Sequence, residues 1–362
     1  VAYFRIKAKT FGRQAFKVTA MGSKMSDAIQ KEVTVFPNGK QVTFTSADRL
    51  TPGTPAAQTV KIPADAIPGT QKLSVKIYPG MLSQVVEGLD GILRMPNGCF
   101  EQTSSTTYPN VLVLDYLKST NQVAPEVQMK AEQYINLGYQ RLTTFEVKSS
   151  GGFSLFGGEP ADRMLTAYGL QEFSDMSRVH DVDPALLKRA AQNLYSQQNA
   201  DGSWKNDRGL VHESTWKSLG NDMLPVTAYI TWSLVDAGFG GDSGTKKGLD
   251  YVREYQSQAK DAYALALVAN ALVAADLKAG GTLSAPTEDA LNRLAGMAQR
   301  DGDKVFWSSG VATFMGSKGG VGSIETTALA AYAFQRAGRS PELANGALSF
   351  LIKQKDSFGT WH

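Results

Sequence analysis

The sequence predicts a mainly helical protein, an α/α toroid of paired helices preceded by antiparallel β-sandwich segments. Three observations carry this expectation. Apolar and polar residues alternate in stretches of the first 80 residues, which is the strand period. From about residue 82 onward apolar residues recur every three or four positions, which is the helical period. Four of the helical stretches are rich in alanine and apolar on most faces, and more charged stretches follow them. An inner ring buried on both sides and an outer ring facing water need that alternation.

The strand-period stretches come first. In YFRIKAK, Phe4 and Ile6 alternate with Arg5 and Lys7; AFKVTAM repeats the pattern with Phe16 and Val18, and KLSVKIY with Leu73, Val75 and Ile77. The turn clusters FPNGK at 36–40 and LTPGTP at 50–55 separate them, and VFPNGK reads as a linker between two sandwiches. Ten helical stretches follow, from PNVLVLDYL to PELANGALSFLIKQ, with Asp183-Pro184 and Ser340-Pro341 as helix starts. LTAYGL (165–170), VTAYIT (226–231), DAYALAL (261–267) and TTALAAY (326–332) predict the inner ring. QNADGSW (198–204) and QKDSFGTW (354–361) each place Gln and then Gly-x-Trp behind an outer helix. There glycine allows the tight turn and tryptophan fills the gap between helix pairs.

Bulk composition narrows the function. The 362 residues carry a net charge of +3 and no long basic run, so no nucleic-acid partner is expected. No apolar run reaches the roughly 18–20 residues that span a bilayer. The opening VAYFRIKAKTFGRQAFKV lacks the apolar core of a signal peptide and reads as strands that begin inside a domain. A single cysteine forbids an internal disulfide, and with only three histidines it makes a structural zinc site hard to assemble.

That cysteine lies in MPNGCFEQTSS, residues 95–105. A lone cysteine is ordinarily a small buried hydrophobe. Cys99 also has Gln102 three positions on, and one tight turn brings positions i and i+3 together. A thiolate so placed can attack the glutamine side-chain carbonyl and expel ammonia, leaving an internal thioester. Pro96-Asn97-Gly98 supplies a sharp bend, and a helix starting near Gln102 aims free backbone N–H groups at the carbonyl. Other chemistries of helical toroids fit less well. DVDP at 181–184 puts Pro184 where a protonating Asp-x-Asp-Asp motif needs its last acid, and a zinc prenyltransferase lacks ligands. A glycosidase remains as an alternative, with Glu101 or Asp115 as half of a carboxylate pair.

PNGCFEQTSSTTYPN resembles the thioester signature Pro-x-Gly-Cys-x-Glu-Gln of the α2-macroglobulin and complement family, and Thr103-Ser104-Ser105 looks like its bacterial branch. The resemblance runs along the chain. TVFPNGK looks like the junction into a CUB domain, LSVKIYPGM like the strand entering the thioester domain, and FGTW like a segment near that domain's end. It implies the end of a macroglobulin-like sandwich (1–36), the N-terminal part of a CUB domain (37–80) and a thioester domain (81–362).

The resemblance also implies the site: a Cys99–Gln102 thioester, no cofactor or metal, and support from Gly98, Phe100 and Glu101. Tyr108 and Pro109 would begin the apolar helix. His212 in GLVHESTW, 113 residues after Cys99, matches the family histidine that attacks the thioester; its alternative is a solvent-exposed loop histidine. The resulting acyl-imidazole is opened by a hydroxyl, with the Cys99 thiolate as base. Glu213 follows directly, where the family often has its acid two residues on. The implied parent is a bacterial periplasmic, envelope-bound or secreted protein that traps proteases rather than turning over substrate. Its partners are target proteases or surface hydroxyl and amine nucleophiles, and its other domains shield the thioester. A complement-like opsonin is the alternative.

Overall fold

A computed structural model describes residues 3–46, 50, 53, 55, 57–77, 93–120, 125–205, 223–314 and 316–355. Ten α-helices lie among them. In chain order they are α1 (Phe100–Thr120), α2 (Pro125–Thr143), α3 (Arg163–Met176), α4 (Pro184–Ser196), α5 (Met223–Leu234), α6 (Ser243–Tyr255), α7 (Ala262–Lys278), α8 (Ala285–Gly296), α9 (Gly319–Ala337) and α10 (Pro341–Lys353). The odd-numbered helices form one row, each packed on the next from α1 to α9, and every even-numbered helix packs on the odd one before it. This is the packing of an α/α toroid. Burial follows the residue pattern: α7 buries every residue from Ala262 to Asp276, whereas α6 buries only Thr245, Gly248, Leu249, Tyr251 and Val252.

The joints between helix pairs repeat one hydrogen-bond scheme. Trp204 and Trp307, both fully buried, donate their backbone N–H groups at 3.0 Å to Thr227 of α5 and Thr327 of α9. Each indole Nε1–H then reaches the last turn of the preceding outer helix, at Leu194 and Leu294, over 2.7 Å. Phe153 takes the same place one unit earlier and donates its N–H to Thr166 Oγ1 at 2.9 Å. The glycine turn predicted before Trp204 forms with Gly202 at φ 89°. Its second copy, ending at Trp361, lies outside the described residues.

Three expectations change. The N-terminal segment forms a single ribbon of β1 (Gly12–Met21) and β2 (Ser26–Val35), antiparallel with Val18 opposite Ile29. YFRIKAK and KLSVKI form no strand, and among the described residues no second sheet covers the ribbon and Phe16, Val18, Ile29 and Val33 are exposed. The β-sandwich segments are therefore not formed among the described residues, because a two-stranded ribbon has no facing layer for its alternating side chains. Secondly, Pro109 does not open the apolar helix but lies inside α1, which already starts at Phe100. The carbonyl that proline cannot serve belongs to Ser105, which is exposed. Thirdly, Asp183 accepts from Ala185 N–H at 2.9 Å as its cap role requires, but Ser340 starts α10 in the left-handed region without a side-chain cap. Short hairpins, β3 (Glu146–Val147) with β4 (Gly152–Phe153) and β5 (Gln299–Asp301) with β6 (Lys304–Phe306), complete the element order.

Thr227→Val would leave the Trp204 N–H buried without an acceptor, a loss of about 1–3 kcal/mol. Urea denaturation is expected to show that loss for Thr227→Val and a similar one for Thr327→Val. Unchanged midpoints in both would remove these joints from the list of stabilising contacts.

Candidate functional site

The loop before α1 is bent by one residue. Gly98 has φ 86°, in the left-handed region. A Cβ there would lie 2.0 Å from Gln102 Oε1 and 2.8 Å from Gln102 Cβ. Glycine is thus required for its backbone angle and for the room it leaves. The next peptide points its hydrogen at the same side chain: Cys99 N–H donates to Gln102 Oε1 over 3.3 Å. Thr103 N–H returns to the Cys99 carbonyl at 2.9 Å, closing the first helical turn over the pair. Cys99 is half-buried and unbridged, and Gln102 is exposed. The structure brings Gly98, Cys99 and Gln102 together.

Phe100 fixes this turn from below. Its side chain is fully buried, with ring centroids 5.1 Å from Phe153 and 6.2 Å from Phe145, and its N–H donates to Leu155 O at 3.0 Å. Gly169 of α3 makes the room, since a Cβ there would lie 2.8 Å from Phe100 Cζ. Glu101 is half-buried on the same turn. His212 and Glu213 lie outside the described residues.

Sequence reasoning missed two contributors. Arg141, in the last turn of α2, donates from Nε at 2.9 Å and Nη2 at 2.5 Å to the Gly98 carbonyl. Thr103 Oγ1 donates to Asn97 O at 3.2 Å and receives Arg141 Nε at 3.2 Å. Thr103 adjoins the motif and was readable there as a polar residue only. Arg141 lies 43 residues from Gly98, so no local spacing announces it.

Beneath the loop, α1 buries a polar stripe. Thr103, Ser104, Thr107 and Asn110 are fully buried against α2 and α3. Gly138 of α2 admits Thr107, for a Cβ there would meet Thr107 Oγ1 at 2.2 Å. Facing the stripe from α3 is Glu172, also fully buried, with no hydrogen bond formed to either carboxyl oxygen. Burial pushes its carboxyl up to about 8; the nearby Ser104 hydroxyl lowers it only in part. One turn on, Tyr108 OH donates to Asp175 Oδ2 at 2.5 Å, and burial raises both groups from their ordinary values. Asp115, the acid considered for a glycosidase, is engaged by Arg178 Nη2 at 2.9 Å. Among the described residues no cluster of three or more His, Cys, Asp or Glu is placed to hold a metal, and no helix is long and apolar enough to cross a membrane.

Comparison with known proteins adds to this geometry. The family model described as the A-macroglobulin TED (thioester) domain matches residues 74–362. Thioester-containing protein 1 allele R1 of Anopheles gambiae is 26% identical over 99% of this chain and 26% of its own length. Allele S3 is 26% identical over 91% of the chain and 24% of its own. Ovostatin of Gallus gallus is 28% identical over 59% of the chain and 14% of its own. The chain thus spans about a quarter of the length of the mosquito relatives.

Glu172 sets a pH dependence with a definite sign. Its folded-state value, about 8, lies above the usual 4.5. At acid pH both states hold the proton and the group adds no pH-dependent term. Between these two values the unfolded chain ionises while the folded one keeps its proton, so stability falls as pH rises. Above about 8 the loss levels off. Its ceiling is on the order of 5 kcal/mol. Glu172→Gln is expected to flatten much of this slope in urea denaturation between pH 5 and 8, with Asp175 and Glu325, both raised by burial, leaving a remainder. Parallel profiles for wild type and variant would contradict the assignment.

Proposed function

The chain belongs to the A-macroglobulin thioester-domain family, and from that premise we propose that Cys99 and Gln102 form an internal thioester with which the protein covalently traps proteases. The observation that carries this reading is the Cys99 N–H held 3.3 Å from Gln102 Oε1 across the Gly98 turn. That oxygen takes up negative charge when sulfur adds to the amide carbon, and a fixed backbone donor stabilises charge at such a position. The Cys99 sulfur adds to Gln102 Cδ and the C–N bond breaks. Nitrogen leaves as ammonia carrying the thiol proton, and the S–C bond remains. Attack by an amine or hydroxyl forms the new N–C or O–C bond, breaks S–C and returns the proton to Cys99. His212 serves hydroxyl acceptors by forming an acyl-imidazole first, with Glu213 beside it; the thiolate then takes the proton of the hydroxyl. Each molecule reacts once, so no turnover is involved.

Support comes from the family itself and from relatives whose name carries the thioester. The target is the wider step of the proposal. A protease that cleaves the longer protein elsewhere would trigger exposure of the thioester, which the other domains otherwise cover. A periplasmic, envelope or secreted setting in a bacterium belongs to the same proposal.

Intact mass of freshly prepared protein, with and without methylamine, tests the bond. Wild type is expected to weigh one ammonia less than its sequence, to show no free thiol, and to gain both methylamine and a thiol on treatment. Gly98→Ala, which places a methyl group on Gln102, is expected to show full mass and a free thiol at once. Full mass and a titratable thiol in fresh wild type would sink the reading. Protease challenge of the longer protein then separates trap from opsonin. Conjugates to the protease support the trap; conjugates only to glycan hydroxyls would replace it by the opsonin.

A further inference from the structure

We propose that Arg141 is a positioning residue for the thioester, acting through the Gly98–Cys99 peptide to strengthen the N–H that faces Gln102 Oε1; this rests on the thioester reading above. The two ends of that peptide carry the argument. Its carbonyl, on Gly98, accepts Nε–H and Nη2–H of Arg141 at 2.9 and 2.5 Å. Its N–H, on Cys99, donates to Gln102 Oε1 at 3.3 Å. A peptide is a conjugated unit, so a cation hydrogen-bonded to its oxygen draws electron density from its nitrogen. The N–H becomes a better donor, the cooperative strengthening expected of hydrogen-bond chains. Charge-assisted bonds to a planar two-pronged guanidinium are the strong form of this interaction.

The surroundings hold Arg141 to that task. Its guanidinium lies over the Phe145 ring, 5.7 Å from the centroid, and Phe145 packs edge-on against Phe100 at the start of α1. Thr103 Oγ1 accepts Nε at 3.2 Å from the other side. Among the described residues no carboxylate pairs with Arg141; its charge is directed at backbone and hydroxyl oxygens. A guanidinium on a carbonyl beside a left-handed glycine also locks the one bend that lets Cys99 N–H and Gln102 Oε1 meet. The balance of the reaction is unchanged: sulfur adds to Gln102 Cδ, charge gathers on Oε1, and ammonia leaves with the thiol proton. On aminolysis the amine adds, charge returns to Oε1, and the thiol departs. Arg141 supplies no proton and touches no reacting atom; it tunes the donor that receives the charge in both directions.

The test compares wild type with Arg141→Met, which keeps the stem over Phe145 but has no donor, and with Arg141→Lys, which keeps a charged donor. Two readouts are taken on protein labelled with 13C at the glutamine δ carbon. One is the second-order rate constant for methylamine; the other is the infrared stretch of the thioester carbonyl. Arg141→Met is expected to react about tenfold more slowly, equivalent to about 1.4 kcal/mol, with its carbonyl band at higher frequency because the donor is weaker. Arg141→Lys, which keeps the charge but loses the two-pronged fork, is expected to fall between wild type and Arg141→Met. A natively folded Arg141→Met that never loses ammonia also supports the proposal, since formation uses the same donor. If Arg141→Met does not fold, Arg141→Gln, a neutral donor, replaces it with the same expectation in smaller measure. Rates and band positions equal to wild type in the neutral variants would overturn the proposal. Wild type of full mass would instead overturn the thioester reading beneath it.

Discussion

The left-handed turn at Gly98 is the constraint from which the rest of the site follows. With φ 86° at this position the chain reverses into α1, so that the next N–H meets Gln102 Oε1 rather than solvent. A side chain of any size would occupy the space that Gln102 takes. Two contacts from distant elements secure the turn. Phe100 is driven into the core between Phe145 and Phe153, and Arg141 holds the Gly98 carbonyl from α2. The first is hydrophobic burial, worth about 1.5–3 kcal/mol for a side chain of this class; the second is a directional hydrogen bond to an exposed cation. Burial supplies the energy, and the hydrogen bond supplies the angle.

The same helix that presents the site rests on polar ground. Beyond the anchor Phe100, the first half of α1 buries Thr103, Ser104, Thr107 and Asn110, whereas further along it buries Val111, Val113, Leu114 and Leu117. Glu172 lies opposite this polar half with its proton retained at neutral pH. An apolar stripe would bind more tightly, because buried polar groups without full partners cost free energy. Between Phe100 and Val111 the packing of α1 is therefore less apolar than it is beyond Val111.

Much of this was legible in the residues because the signals were local or periodic. The inner helices announced themselves by being apolar on nearly every side, and the packing of α3, α5, α7 and α9 bears that out. Gly98, Cys99 and Gln102 lie within a single turn, so their meeting could be read from spacing. Trp204 was visible as a joint through its Gly-x-Trp turn. Its equivalents Trp307 and Phe153 were not, because a hairpin or a glycine pair precedes them in place of that motif, and only their shared threonine acceptors reveal the repeat. The N-terminal alternation was real, yet alternation alone names no partner sheet, and among the described residues of the N-terminal segment only β1 and β2 pair. Arg141 and Glu172 depend on helix packing between distant segments, which spacing along the chain does not encode.

The claim at the centre of this account is that the Gln102 side chain ends in an acyl–sulfur bond rather than an amide. Carbon-13 NMR of native protein labelled at the glutamine δ carbons addresses it directly, since a thioester carbonyl resonates far downfield of every amide carbonyl. One resonance is expected in the thioester region, assigned to Gln102 by its disappearance in Gln102→Asn and Cys99→Ala, and it is expected to return to the amide region on addition of methylamine. A spectrum of fresh, folded wild type with all glutamine δ carbons in the amide region would contradict it.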